Sequence, residues 1–236
     1  MNDLNGKRYI VAGGSSGIGL QVVTDLIGRG AEVQVWSRSR SEEVEKLGIR
    51  HVTVDVTEDI GEVEVPDSLD GLVYCPGTIK LGQFKRLTID QFRSDFEINL
   101  LGAVRVIQFL EKPLKAGEGG SIVLFSTVAV QTGMVFHASI ASAKGAVEGL
   151  VRSLAAEYAV SNIRVNAVAP SITDTPLAAG ILSNEKQRQA SAERHPLKRI
   201  GAVNDIAAGV TYLLGPSSAW ITGQILHIDG GISALR

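Results

Sequence analysis

The sequence predicts an α/β protein: a single doubly wound parallel sheet with helices on both faces. Three observations predict it. Apolar, strand-like runs alternate with amphipathic, helix-like segments along the chain, the pattern of a parallel sheet covered by crossover helices. A glycine-rich turn, Gly13-Gly14-Ser15-Ser16-Gly17-Ile18-Gly19, follows directly on the apolar run Tyr9-Ile10-Val11-Ala12. No internal repeat, low-complexity tract or linker interrupts the 236 residues, a length suited to one domain with an ample core. Residues 1–236 are therefore expected to form one domain.

Each element has its own signal. Tyr9 to Ala12 is the first strand, and Leu20, Val22, Val23, Leu26 and Ile27 mark the helix after the glycine turn. Further strands are expected at 31–36, 51–54, 71–75, 121–125, 163–169 and 224–228, where apolar residues run together. Amphipathic helices are expected over 89–110, 139–160 and 203–214. The connection between Asp55 and Asp70 carries five acidic residues, Glu58, Asp59, Glu62, Glu64 and Asp67, with Gly61 and Pro66 and no apolar period, so it is expected as a solvated loop. From 171 to 200 the pattern dissolves into polar sequence with scattered apolar residues. A segment of that kind is functional or mobile, and it is expected to be a substrate lid.

Composition excludes several classes. Apolar residues make up 44% of the chain and the net charge is −2, with a mean hydropathy of +0.16. Disorder is excluded, and no electrostatic case exists for nucleic acid or an acidic membrane surface. A lone cysteine, Cys75, allows no internal disulfide and fits a reducing compartment. The stretch Met1 to Lys7 has no apolar core of a signal peptide, and no run reaches a membrane span. A soluble, cytoplasmic protein with a small-molecule substrate is expected.

The glycine turn carries the first chemical inference. Strand, glycine turn and helix in succession signal a dinucleotide site, because glycines allow a tight turn and close backbone approach to a pyrophosphate. The helix N-terminus adds free N–H groups and a positive dipole end. Right-handed crossovers then place ligands at the carboxyl ends of the strands, as in a Rossmann fold.

Taken together, the motifs resemble the short-chain dehydrogenase/reductase family. Ala12-Gly13 through Gly19 is similar to that family's Thr-Gly-x-x-x-Gly-x-Gly loop, with Ala12 in place of threonine. Asp55-Val56 falls where the family contacts adenine, Asn99 in Ile98-Asn99-Leu100-Leu101-Gly102 matches its helix asparagine, and Lys144 in Ser142-Ala143-Lys144-Gly145 its lysine. Pro170 to Thr175 and Asp229-Gly230-Gly231 follow in the family's order, so the resemblance runs from about Lys7 to about Gly231. It implies a nicotinamide cofactor held by Gly13, Ser15, Ser16, Gly17, Ile18, Gly19, Ser37, Arg38, Asp55, Val56, Cys75, Pro76, Gly77, Lys144, Pro170, Thr173 and Thr175. The family's helix at 139–160 commonly builds a symmetric interface, so a homodimer or homotetramer is implied. The stripe Val147, Leu150, Val151, Leu154, Ala155, Tyr158 suits core or subunit contact.

Discrimination between the two nicotinamide cofactors is electrostatic. A carboxylate at the end of the second strand would bond a free ribose and repel a 2′-phosphate. This chain has Ser37 and Arg38 there, and a guanidinium suits phosphate oxygens, so NADP(H) is expected over NAD(H). At the fourth strand, Tyr74-Cys75-Pro76-Gly77 replaces the family's Asn-Asn-Ala-Gly, and Cys75 reads as a small packed residue rather than a nucleophile.

The reactive end departs from the family. There a tyrosine four residues before the lysine supplies the proton, and Ile140 stands at that position. An isoleucine neither donates nor accepts a proton, and none of Tyr9, Tyr74, Tyr158 and Tyr212 precedes a lysine by four. Thr127 occupies the usual serine position. His137 on the loop before the helix, or water relayed by Lys144, could serve the proton; a structural role or substrate contact is also open to His137, and Ser139 is expected to cap the helix. The catalytic set is thus Asn99, Thr127, His137 and Lys144, with no metal. Three readings follow: an NADP(H)-dependent oxidoreductase of a small carbonyl or alcohol with a non-standard proton donor, a cofactor-binding sensor or partner subunit with little turnover, or reduction of an activated double bond or imine. Leu177, Ile181 and Leu182 suggest an apolar wall for the substrate, and the basic residues Arg188, Arg194, His195, Lys198 and Arg199 are expected in solvent.

Overall fold

A computed structural model describes residues 3–235; Met1 and Asn2, which open the polar N-terminal stretch, lie outside them. The elements follow as β1 (Arg8–Ala12), α1 (Gly17–Gly28), β2 (Glu32–Ser37), α2 (Glu42–Lys46), β3 (Arg50–Thr53) and β4 (Gly71–Tyr74). The second half contributes α3 (Ile89–Phe96), α4 (Gly102–Lys115), β5 (Gly120–Phe125), α5 (Ala129–Thr132) and α6 (Ala138–Tyr158). Then come β6 (Ile163–Pro170), α7 (Glu185–Glu193), α8 (Val203–Leu214) and β7 (Ile225–Ile228). The seven strands form one parallel sheet in the order β3-β2-β1-β4-β5-β6-β7. Among the described residues no helix is long and apolar enough to cross a membrane.

Side chains along each strand alternate between two cores, as the period of a pleated strand requires. On one face Ile10, Leu72, Ile122 and Leu124 pack with Val106 and Leu110 of α4 and Val147 and Val151 of α6. On the other, Val11, Val35, Val73 and Val123 meet Val22 and Leu26 of α1 and Ile206 and Val210 of α8. Strands covered twice read as near-continuous apolar runs, as β1, β2, β4, β5 and β6 largely do, whereas the edge strands β3 and β7 have no buried residue. Of the stripe on α6, Val147, Val151, Ala155 and Tyr158 are buried, and Leu150 and Leu154 are half-buried against the same core.

Besides α5 and α7, short helices in stretches where none was expected, two details differ from the expected pattern. The 89–110 helix is not one α-helix. A wide π-type turn, Glu97–Leu101, separates α3 from α4. Its cause is a side chain inserted against the backbone ladder: the Tyr74 hydroxyl donates to the Ile98 carbonyl at 2.5 Å. Apolar period alone does not register one extra residue in a turn. The second difference is α2, whose five residues are too few to show a period. It is held by its Ser41 cap and its buried Val44.

Gly102 makes the wide turn possible. A Cβ built there would lie 2.3 Å from the Tyr74 hydroxyl oxygen. Gly102→Ala should push that hydroxyl off the Ile98 carbonyl and cost about 2 kcal/mol of stability by overpacking, read as a lower urea midpoint. Tyr74→Phe in the same background should recover part of the loss, since the clashing oxygen is gone.

Candidate active site

The sheet order reverses direction between β1 and β4, and there a cavity of about 1110 Å³ opens at the carboxyl ends of the strands. Every residue expected from sequence to bind cofactor or act in catalysis lines it. Residues far apart in the chain converge because β1 pairs with β2 on one side and β4 on the other.

At one end lies the glycine turn. Gly13 and Gly17 adopt φ of 76° and 53°, conformations that favour glycine. A Cβ at Gly19 would fall 2.2 Å from the Gly13 carbonyl oxygen, so that helix residue packs directly on the turn. Ser16 caps α1 in extended conformation with no side-chain cap bond, and no acidic residue occupies the first turn. The hydroxyl and the first N–H groups of α1 therefore face the cavity without an anionic competitor.

The next wall is the end of β2. The Ser37 hydroxyl donates to the Ser39 carbonyl at 2.9 Å, and His51 Nε2 sits 2.9 Å from Ser37 Oγ. With the serine proton spent on a carbonyl, His51 must donate. Burial, then the Arg40 charge, lowers the pKa of His51. Arg40 pairs with Glu45, whereas Arg38 has no ion-pair partner among the described residues and lines the cavity. The Asp55 carboxylate accepts from the hydroxyl and N–H of Thr57 at 2.7 and 2.9 Å, bonds that hold its pKa below the ordinary carboxylate value. No carboxylate stands at the end of β2.

The far end gathers Cys75, Pro76, Gly77, Asn99, Thr127, His137, Ile140 and Lys144. Burial pushes the Cys75 thiol up to about 12, so it carries no thiolate at neutral pH. Asn99, inside the wide turn, spends both amide protons. Its Nδ2 donates to Thr78 Oγ1 at 3.0 Å and to the Asp95 carbonyl at 2.8 Å. Its Oδ1 is buried with no partner in the protein. That oxygen and Lys144 Nζ lie 3.1 and 3.8 Å from the point a Gly77 Cβ would occupy, so only glycine keeps the corner open. Lys144 is 7% exposed; burial lowers its pKa to about 8, partly offset by Cys75 and Asp95.

Ile140, one helical turn before Lys144, is buried and lines the cavity. Thr127 Oγ1 accepts from the Ala129 N–H at 3.3 Å, which leaves its own proton free. His137 is the residue preceding α6, as expected, and its Nδ1 lies 2.7 Å from the Val135 carbonyl. A carbonyl only accepts, so Nδ1 carries the proton and Nε2 is the acceptor in the neutral ring.

Sequence reasoning missed two polar groupings. Asp95 is fully buried and accepts from Ser139 Oγ at 2.6 Å and from the Thr78 hydroxyl. Ser139 thus does not cap α6: its hydroxyl is drawn to the α3 carboxylate, a stronger acceptor than any helix-end N–H is a donor. Asp95 precedes Asn99 by four residues, the only signal in sequence that they share a face. The second grouping is Ser171 with His195. His195 is 2% exposed rather than in solvent, its Nε2 2.8 Å from Ser171 Oγ and its Nδ1 2.8 Å from the Ser191 carbonyl. Of the other basic residues in that run, Arg188 pairs with Asp174 and Arg199 with Asp205, while Arg194 lines the cavity. Leu177, Ala178 and Ile181 supply apolar lining, and Leu182 is buried behind them.

Comparison with known proteins gives a consistent pattern. Residues 12–233 match the family model described as Enoyl-(Acyl carrier protein) reductase. A tropinone reductase homolog of Arabidopsis thaliana is 33% identical, with 98% of this chain and 94% of the relative covered. The ligand-free aldohexose dehydrogenase of Thermoplasma acidophilum superposes with a TM-score of 0.88 at 27% identity, over 100% of this chain and 97% of that one. A tyrosine-to-phenylalanine variant of ElxO, solved with NADPH bound, gives 0.84 at 28% identity over 96% and 98%.

Lys144 yields a test independent of ligand. Its pKa is about 8 in the folded protein against 10.5 as the ordinary value. Below pH 8 both states are protonated and the folded state carries the full cost of burying the charge. Between pH 8 and 10.5 the folded state sheds its proton first, so stability rises with pH. Lys144→Met should raise unfolding free energy at pH 7 by about 3 kcal/mol, and the advantage should fade as pH climbs from 8 to 10 in chemical denaturation.

Proposed function

This chain belongs to the short-chain dehydrogenase/reductase family, and from that premise we propose that it is an NADP(H)-dependent oxidoreductase. Its substrate is a small carbonyl or alcohol, and its proton donor is not the family's tyrosine. One observation supports this reading above the rest: the partnerless Asn99 Oδ1 and the Lys144 ammonium converge on the Gly77 corner of a cleft continuous with the glycine turn. A buried acceptor without a partner costs about 1–3 kcal/mol, and a bound ligand or ordered water relieves it.

The residues fit a nicotinamide dinucleotide. Gly13, Ser15, Ser16, Gly17, Ile18 and Gly19 would hold the pyrophosphate through N–H groups and hydroxyls. Arg38 would take the 2′-phosphate, and Asp55 and Val56 the adenine. Cys75, Pro76 and Gly77 would let the backbone approach closely, Lys144 would hold the nicotinamide ribose, and Pro170, Thr173 and Thr175 the carboxamide. Bound there, the cofactor supplies or accepts a hydride. Thr127 directs its free proton to the substrate oxygen, Asn99 orders the polar corner, and His137 contacts substrate. Segment 171–200 acts as the lid, with Leu177, Ala178 and Ile181 as its apolar wall. A cytoplasmic homodimer or homotetramer completes the proposal.

The names of the relatives, a tropinone reductase homolog and an aldohexose dehydrogenase, accord with carbonyl and alcohol chemistry. A second reading, cofactor binding with little turnover, draws on the buried Ile140. The tyrosine-to-phenylalanine variant of ElxO was solved with NADPH bound, so in that neighbour cofactor binding tolerates the loss of one phenol.

Fluorescence titration should show NADPH binding to the purified chain, followed by cofactor oxidation on at least one member of a ketone, aldehyde, imine and enone panel. Binding without oxidation on any of them favours the sensor reading. Ser37→Asp should shift the NADPH-to-NADH preference at least tenfold towards NADH; an unmoved ratio removes Arg38 from the 2′-phosphate. Ile140→Tyr should raise carbonyl reduction by an order of magnitude or more, since it restores an acid one turn from Lys144.

A further inference from the structure

We propose that Ser171 and His195 form the proton-transfer pair of this site: the Ser171 hydroxyl meets the substrate oxygen, and His195 takes or returns its proton. The inference rests on the oxidoreductase reading and names the group that stands in for the phenol.

The geometry defines the direction of each hydrogen bond. The Ser191 carbonyl can only accept, so His195 Nδ1 carries the proton of the neutral ring at 2.8 Å. Nε2 then presents its lone pair to Ser171 Oγ at 2.8 Å, and the hydroxyl donates. A hydroxyl, a base within hydrogen-bond reach and a third group orienting that base form the arrangement that activates an oxygen. The ring is 2% exposed and packs against Gly230, where a Cβ would come within 3.4 Å of it. Charged neighbours are Arg194 and Lys198 on its own segment and Asp229 beside Gly230. The Asp229 carboxylate is occupied by the Gly231 N–H and by Ser233, and Lys198 Nζ by the Glu193 carbonyl. Neither imidazole nitrogen bonds a charged group.

The pair also stands at the right level. Ser126 N–H donates to the Val168 carbonyl and Val128 N–H to the Pro170 carbonyl, at 2.8 and 3.2 Å. The β5–β6 ladder thus continues past Thr127, and Ser171 follows directly on the residue opposite Val128. Both hydroxyls line the one cavity, with Ile140 on its wall. Thr173 Oγ1 donates to the Ser171 carbonyl at 3.0 Å and steadies that backbone.

In alcohol oxidation the substrate O–H proton moves to Ser171 Oγ as the Oγ proton moves to His195 Nε2. The carbinol C–H bond breaks with its electron pair, leaving as hydride to oxidised nicotinamide, and the C=O bond forms. The imidazolium returns its proton through Ser171 to solvent in the open cleft. Reduction reverses each transfer.

The unloaded protein provides the first test. Imidazole ¹⁵N spectra should show His195 as the Nδ1–H tautomer, with its Nε2 resonance displaced in Ser171→Ala. An Nε2–H tautomer, or a resonance unmoved by the variant, overturns the pair whether or not a substrate is in hand. In turnover, Ser171→Ala should lower kcat about a hundredfold, leave NADPH affinity within twofold and erase the limb of the kcat–pH profile that His137→Ala retains. Ser171→Thr should restore part of the rate. Wild-type kcat with an intact limb in Ser171→Ala reduces the pair to a staple of segment 171–200. Loss of NADPH binding in the wild type instead strikes the oxidoreductase reading and leaves the spectra to judge the pair.

Discussion

The double pairing of β1 is the constraint on which the site depends. Val11 is in register with Val35 of β2 on one side and Val73 of β4 on the other. A strand bonded on both edges sends its successive crossovers to opposite sides, since each must be right-handed. The loops after β1 and β4 therefore diverge and leave a crevice that no side chain of the sheet can fill. Gly13 N–H bonds the Trp36 carbonyl at 2.7 Å and Cys75 N–H the Ala12 carbonyl at 2.9 Å. The loops that line the crevice are thus continuations of the sheet's own ladder.

Polar groups at the crevice are held in states that only a folded interior sustains. Lys144 is a buried cation with a depressed pKa, Asn99 leaves one buried acceptor unpaired after spending both donors, and Asp95 is a carboxylate with no exposure. Each carries a desolvation cost that the two apolar cores on either side of the sheet offset. The Asp95 hydrogen bonds to Thr78 and Ser139 tie α3, the β4 loop and α6 together behind the reactive corner. The geometry of Asn99 and Lys144 is consequently set by one connected network rather than by two independent helices.

How much was legible follows from how local each signal is. All seven strands and the three long amphipathic segments announced themselves through apolar patterns a few residues long. The glycine turn was equally legible, because its requirement for positive φ at Gly13 and Gly17 is local. The wide turn at Glu97–Leu101 was not, since it arises where Tyr74, more than twenty residues earlier, reaches the Ile98 carbonyl. Ser139 misled for the same reason. A serine at a helix start caps it unless a stronger acceptor arrives from elsewhere, and Asp95 arrives from α3.

His195 shows the boundary most sharply. In sequence it sits in a run of basic residues, where solvent is the reasonable default. Its partner Ser171 lies twenty-four positions away, too far for any helical or strand period to relate them. From the chain alone came the parallel α/β architecture, the glycine turn, the absence of a carboxylate after β2 and the isoleucine one turn before Lys144, because all of these are matters of residue type and short spacing. Folding alone decided which hydroxyls keep a free proton, which carboxylate is buried and which imidazole is buried against a hydroxyl of the cleft. Those outcomes depend on the distance and dielectric between groups brought together only when the strands close into one sheet.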